Sequence, residues 1–166
     1  VAAAPIAATV AAPVRAAGDK AAMTPLHARA FKVGDYTVHS LLAGSTGRDG
    51  VQDIFGGGAS DEAFSQVAEE NFISDTNAQF YFTPTLVDIG AEKILFDTGL
   101  NAGGITSALA DAGVTPDEID VVVLTHMHGD HIGGMTDDSG AATFANARYV
   151  TAAREYDHWT CLLYTS

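Results

Sequence analysis

Three histidines and one aspartate stand within six residues of this sequence: His126, His128, Asp130 and His131. In extended backbone, side chains two residues apart point the same way, so His126 and His128 can reach one ion. Gly129 permits a sharp turn, after which Asp130 and His131 can face a second point. Imidazole nitrogen combined with carboxylate oxygen suits Zn²⁺, with Mn²⁺, Fe or Co also possible. Four such side chains in six residues favour a metal centre over a plain polar loop.

The elements around this cluster predict an α+β domain in which a mixed sheet carries helices on its outside. The cluster follows an apolar, valine-rich run that is typical of a strand buried on both faces. Residues 43–58 contain six glycines and predict a long loop. Thr115, Pro116 and the acids after them predict a helix start. The remaining predictions are strands at 36–42, 78–82, 85–89, 93–96, 120–125 and 148–151, and helices at 61–71, 105–112 and 152–159. Ser60 is the expected N-cap of the first helix, with Phe64, Val67 and Ala68 on one face.

Composition limits the classes of function. The chain has 166 residues, is 47% hydrophobic and 17% charged, and has a net charge of -13. Those values are typical of one globular domain with a real core. The negative charge argues against nucleic-acid partners and against anionic membrane surfaces. Cys161 is the single cysteine, so a disulfide within the chain and a cysteine-rich metal site are both excluded.

The two ends of the sequence differ from the rest. Residues 1–17 are rich in Ala and Val and end in small residues, a pattern typical of the apolar region and cleavage zone of a secretory signal peptide. We therefore expect residues 1–24 to be the remnant of a signal peptide and linker, and the protein to be exported to the periplasm or outside the cell. A flexible Ala/Pro linker is the alternative. Pro5 and Pro13 argue against a membrane-spanning helix.

We assign residues 25–160 to the functional domain. Residues 161–166, CLLYTS, can be encoded by a string that resembles a sequencing adaptor, so we expect them to be a non-native tail.

The H-x-H-x-D-H pattern after a buried strand, together with Asp97-Thr98-Gly99 after an earlier strand, resembles the metallo-β-lactamase superfamily. The resemblance covers roughly residues 28–159. It is greatest for the branch that contains methyl parathion hydrolase and exported lactonase-like hydrolases. It implies an αββα sandwich with metals at the sheet edges, of which this chain would be the N-terminal half.

The resemblance also implies roles for individual residues. His126 and His128 would bind a first metal ion, and Asp130 and His131 a second. Asp130 could in addition help to move a proton to the leaving group. Asp97 would hold the metal loop by hydrogen bonds, a role compatible with its interpretation as an Asx-turn residue.

Trp159 falls where that branch has an aromatic wall of the substrate pocket, and ordinary core filling is the alternative. Residues 100–104 contain no aromatic side chain, which argues against a tight pocket for aryl phosphotriesters. His39 and His158 lie outside the motif and are expected to be surface or satisfied histidines.

The function implied by the resemblance is that of a hydrolase with two Zn²⁺ ions, in which a metal-bound hydroxide attacks a lactone, ester or phosphotriester. A β-lactamase, a thioester hydrolase of the glyoxalase II type, an iron-containing oxidoreductase and a non-catalytic metal-binding protein are the alternatives. The expected partner is a small-molecule substrate, and a homodimer is possible. The later histidines and the bridging carboxylate of the superfamily have no counterpart in the sequence after His131. We therefore expect this chain to bind zinc weakly and to have little activity.

Overall fold

The computed structural model describes residues 27–163, which form eight strands and five helices. The strands are β1 (Ala28–Val33), β2 (Tyr36–Leu41), β3 (Gly44–Asp49), β4 (Asn77–Phe82), β5 (Thr85–Asp88), β6 (Lys93–Phe96), β7 (Val121–Leu124) and β8 (Arg148–Thr151). The helices are α1 (Val51–Phe55), α2 (Asp61–Glu70), α3 (Ala102–Asp111), α4 (Gly129–Ile132) and α5 (Ala153–Leu163). Within this range no helix has the length and apolar character needed to cross a membrane.

Six of the strands form one mixed sheet in the order β1-β2-β5-β6-β7-β8, while β3 and β4 form a separate two-stranded ribbon. Pairing is antiparallel from β1 to β6 and parallel between β6, β7 and β8. The prediction of an α+β fold with a mixed sheet and outer helices is therefore confirmed. The parallel pairing brings the ends of β6 and β7 to the same edge of the sheet, where the DTG turn and the histidine cluster both begin.

The core lies between the mixed sheet and α3. Leu86, Leu95 and Val122 on three neighbouring strands are fully buried, as are Ile105 and Leu109 of the helix. Their register places Leu86 opposite Leu95 and Leu95 opposite Val122, so apolar side chains run across the sheet in one row. This row supports the two strands that carry the candidate site.

Several predicted elements are confirmed with small shifts. The strands predicted at 85–89 and 93–96 pair antiparallel as β5 and β6. Ser60 caps α2 by accepting a hydrogen bond from the backbone N–H of Ala63 at 3.3 Å. Helix α3 begins three residues earlier than predicted, because Asn101 caps it by accepting from Gly104 N. The final helix includes residues 161–163, part of the predicted tail. The predicted leader, residues 1–24, and residues 164–166 lie outside the described residues.

Other predictions were wrong. Residues 43–58 are not one loop, because they contain β3 and α1, and β1 was not predicted at all. Strand β3 has the polar sequence GSTGRD, which does not favour a strand. It forms because its backbone pairs with that of the aromatic strand β4. The Thr-Pro-Asp-Glu start gives a single 3₁₀ turn, Pro116–Glu118, closed by a capping box. Val67, expected on the buried face of α2, is 57% exposed.

Candidate metal centre

The four cluster residues lie just beyond the end of β7, on a short loop and on α4. The ring centroids of His126 and His128 are 4.6 Å apart, and those of His126 and His131 are 3.8 Å apart. Nε2 of His131 lies 3.5 Å from Oδ2 of Asp130. The structure thus gathers all four side chains that the sequence singled out into one group.

Asp97 joins this group from the end of β6. Its Oδ2 lies 2.8 Å from Nδ1 of His131, and its Oδ1 accepts a hydrogen bond from the backbone N–H of Thr125 at 2.8 Å. The hydroxyl of Thr125 also donates to Asp97 Oδ2 at 2.8 Å. Because an ionised carboxylate only accepts hydrogen bonds, Nδ1 of His131 must carry the proton. In the neutral imidazole, Nε2 is then unprotonated and available as a ligand.

Thr125 extends this effect to the first histidine. Its Oγ1 lies 3.2 Å from Nδ1 of His126. Since the hydroxyl proton is directed at Asp97, the hydroxyl oxygen is left to accept from Nδ1 of His126. Asp97 therefore orients two of the three imidazoles, one directly and one through Thr125, and leaves Nε2 of each free.

The rest of the DTG turn holds the far end of the loop. The backbone N–H and the hydroxyl of Thr98, a fully buried residue, donate to the carbonyl of His131 at 2.8 and 2.9 Å. The N–H of Gly134 donates to Thr98 Oγ1 at 3.1 Å. A Cβ at Gly134 would lie 2.4 Å from the Thr98 carbonyl oxygen, and one at Gly133 would lie 2.2 Å from that of Leu100. Only glycines allow this close approach.

A second carboxylate, which the sequence did not reveal as part of the site, reaches the loop from α5. Oε1 of Glu155 accepts from the backbone N–H of Met127 at 2.8 Å and from the indole N–H of Trp159 at 2.7 Å. The hydrogen bond from Met127, followed by the one from the Trp159 indole, holds the pKa of Glu155 below its usual range, and nearby His126 and His158 lower it further. The available signal was the spacing of Glu155 and Trp159, one helical turn apart.

Trp159 lies beside the cluster. Its ring is half-buried and meets His128 edge-on at a centroid distance of 6.0 Å. Trp159 does not line either of the two cavities that the described residues form at the cluster. Its role as a substrate wall therefore stays a prediction.

The larger of these cavities has a volume of about 740 Å³, within the range of small-molecule sites. His128, Gly129 and Asp130 form one side of it. Apolar side chains and one cation form the rest: Ile54, Phe80, Phe82, Leu100 and Arg48, together with Thr46. A smaller cavity of about 230 Å³ connects the same aromatic strand with Asp97, Asp130 and His131. The aromatic wall that residues 100–104 lack is thus supplied by β4.

The donor set fits divalent transition metals, since three imidazoles and one carboxylate are typical zinc ligands. Within residues 27–163, however, no three His, Cys, Asp or Glu side chains are arranged to hold one metal ion together. The four residues do not separate into two pairs. Asp130 lies beside His131, and His126 is edge-on to His128. The rings of His126 and His131 are nevertheless the closest, with centroids 3.8 Å apart. Metal binding by these residues stays a prediction.

Comparison with known proteins agrees with the geometry. Residues 83–158 match the model of the Metallo-beta-lactamase superfamily. The solved structure of AidC, a dizinc quorum-quenching lactonase, superposes with a TM-score of 0.73 at 25% identity, covering 80% of this chain and 47% of that one. Metallo-beta-lactamase domain-containing protein 1 of Rattus norvegicus is 34% identical over 123 residues, 68% of this chain and 45% of the relative. Exodeoxyribonuclease WalJ of Streptococcus pneumoniae is 39% identical over 49 residues, 30% of this chain and 18% of the relative. The chain thus spans less than half the length of these proteins.

Proposed function

We propose that this chain, whose residues 83–158 match the model of the metallo-β-lactamase superfamily, is part of a metal-dependent hydrolase acting on a lactone, ester or phosphotriester. The observation that carries the proposal is the group of His126, His128, Asp130 and His131 at the end of β7, oriented by Asp97. In this proposal each ion takes two of these four side chains. The likeness to a dizinc lactonase supports zinc as the metal.

Two bound cations would polarise the carbonyl or phosphoryl oxygen of the substrate and make water nucleophilic near neutral pH. The residues of this chain prepare that chemistry. Asp97 keeps the proton of His131 on Nδ1, away from the ligand atom. Asp130, whose carboxylate faces His131 Nε2, is in our proposal a ligand that also helps to move a proton to the leaving group.

The large cavity supports a substrate with an apolar substituent. Phe80, Phe82 and Leu100 line the cavity together with His128 and Asp130. A chain or ring attached to the ester group would pack on these apolar side chains. Arg48 also lines the cavity, and its guanidinium suits the carboxylate that lactone or ester hydrolysis releases. The net charge of -13 makes DNA a poor partner. Export from the cell is part of the proposal and rests on residues 1–17 alone.

The test of this function combines metal analysis with a substrate panel. The purified chain is loaded with Zn²⁺ and assayed on a lactone, an aryl ester, a phosphotriester, a β-lactam, a thioester and a DNA oligonucleotide. We expect slow hydrolysis of the lactone or ester, since this chain is expected to bind zinc weakly and to have little activity, with loss of that hydrolysis on adding a chelator and loss of zinc in His128→Ala. His39→Gln, on β2 and outside the cluster, is the matched control and should keep its zinc. A chain that binds zinc and hydrolyses nothing in the panel, or only the β-lactam, thioester or DNA, would contradict the proposed function.

The cavity gives a sharper version of the test. Phe80→Ala should raise KM for esters with a long acyl chain more than for short ones, because it removes apolar surface next to the ligands. Gln79→Ala, the preceding residue on β4 and exposed, should leave that ratio unchanged. An equal change in KM for long and short esters would remove the cavity from the proposal.

A further inference from the structure

We propose that Glu155 is a positioning residue of the metal centre, which sets the backbone between its first two histidine ligands. The inference rests on the proposed function, because it assigns His126 and His128 to one ion. Met127 stands between them, and its N–H donates to Glu155 Oε1 at 2.8 Å. Within residues 27–163, Glu155 is the one hydrogen-bond acceptor of this N–H.

The position of Met127 makes this hydrogen bond important for the ligands. Two histidines at alternate positions reach the same ion only while the backbone between them stays extended. This segment is no longer part of β7, which ends at Leu124. Strand pairing therefore does not hold it. The carboxylate from α5 takes the place that a neighbouring strand would have.

The two carboxylates of the site act on different parts of the loop. Asp97 holds Thr125 and His131, the residues flanking the segment, through its hydrogen bonds to both. Glu155 holds the middle of the segment from the opposite direction, from the helix that follows β8. Neither anchor can replace the other, because they bind different backbone and side-chain groups.

Trp159 fixes the second anchor. Its indole N–H donates to the same Oε1 at 2.7 Å, and its ring meets His128 edge-on. The shared acceptor keeps the carboxylate of Glu155 in one rotamer, directed at Met127. The indole thus connects α5 to the second ligand both through Glu155 and by ring contact.

The experiment measures Co²⁺ binding by this chain, with the metal alone as the probe and its visible absorption as the signal. Glu155→Ala should weaken Co²⁺ binding by about tenfold, the scale of residues that orient metal ligands, and should change the ligand-field bands. Glu155→Gln retains an oxygen that accepts the Met127 N–H and should recover most of the affinity. Asp157→Asn removes the same charge from the same exposed helix and should behave as the parent does.

Hydrogen exchange adds a measurement that needs neither metal nor catalysis. In the metal-free protein, the amide of Met127 should exchange at least about threefold faster in Glu155→Ala than in the parent, and near the parent rate in Glu155→Gln. A Glu155→Ala protein with parental Co²⁺ affinity, bands and Met127 exchange would overturn the inference, as would a Gln variant no better than Ala. A parent that binds Co²⁺ but hydrolyses nothing would overturn the proposed function alone.

Discussion

Among residues 27–163, two residues other than glycine adopt a left-handed backbone, and they do so for different reasons. Phe72 has φ 58° and Asp97 has φ 62°. Such a conformation costs an ordinary residue roughly 1–2 kcal/mol. Phe72 follows the end of α2 and is 98% exposed, whereas Asp97 follows β6 at the candidate metal centre.

At Phe72 the backbone alone explains the conformation. Its N–H donates to the Glu69 carbonyl at 3.2 Å, and the N–H of Ile73 donates to that of Ala68 at 3.0 Å. This pair of bonds is the Schellman motif that closes many helices, usually with glycine at the left-handed position. At Asp97 the side chain is the reason, because it accepts hydrogen bonds from Thr125 and His131. Strain at a site that many contacts hold in place points to function, and strain at a helix end does not.

The largest expected effect comes from Asp97→Gly, which relieves the backbone strain and removes the carboxylate. Hydrogen bonds to a charged group contribute roughly 1.5–3 kcal/mol each. After the gain from relieved strain, the free energy of unfolding should fall by about 3 kcal/mol. Zinc affinity should fall about 10–100-fold, as when a residue orienting metal ligands is lost. Urea unfolding and zinc titration measure the two effects.

Asp97→Asn is the matched variant, because asparagine also tolerates the left-handed backbone and keeps one accepting oxygen. Its loss of stability and of zinc affinity should be smaller than that of the glycine variant. If Asp97→Gly is as stable as the parent, the strain at this position has no functional basis and the comparison with Phe72 fails.

Gly134→Ala tests the close backbone contacts beside the candidate metal centre. The added methyl group would lie 2.4 Å from the carbonyl oxygen of Thr98, and backbone there cannot move without shifting His131. We expect a loss of about 2 kcal/mol in the free energy of unfolding, which is typical of overpacking.

Gly57→Ala, in the segment before α2, has open space around its added Cβ, and it should change stability by less than about 0.5 kcal/mol. Equal losses of stability in Gly134→Ala and Gly57→Ala would show that the turn at the candidate metal centre is no more tightly packed than the segment before α2.

Buried side chains leave a pattern in the sequence and backbone pairing does not, which explains what could be predicted. The strands leading to the site were predictable because their residues are buried, so burial left a run of Val, Leu and Ile in the sequence. The group of His126, His128, Asp130 and His131 was predictable, because all four stand within six residues of the sequence. Strand β3 could not be predicted, since its pairing with β4 uses backbone groups that leave no trace in side-chain pattern.

The parts of the site that the sequence did not reveal also leave no trace in the side-chain pattern. Glu155 contacts Met127 across 28 positions of sequence, and Phe80 and Phe82 reach the cavity from a ribbon outside the main sheet. Their residue types are ordinary for an exposed helix and for a strand. Only the three-dimensional packing gives them a role, so sequence spacing could not identify them.

Ser60→Ala addresses the other end of the helix that Phe72 closes. Ser60 accepts the N–H of Ala63 at 3.3 Å and is the N-cap of α2. Its removal should lower the free energy of unfolding by about 1 kcal/mol, as for other N-caps, and leave zinc affinity unchanged. A change in zinc affinity in this variant would contradict the separation of the two regions.

Phe72→Gly should have the smallest effect, and of opposite sign to that of Asp97→Gly. The Schellman bonds use backbone groups and persist, and the left-handed conformation no longer costs energy. The greater freedom of glycine in the unfolded chain opposes this gain, so the net increase in the free energy of unfolding should be about 0.5 kcal/mol. Phe72→Ser, which keeps the strained conformation without the ring, is the control and should show no increase. If Phe72→Gly instead unfolds more easily than the parent by as much as Asp97→Gly does, the exposed ring has a partner of its own, and the two left-handed residues are equivalent.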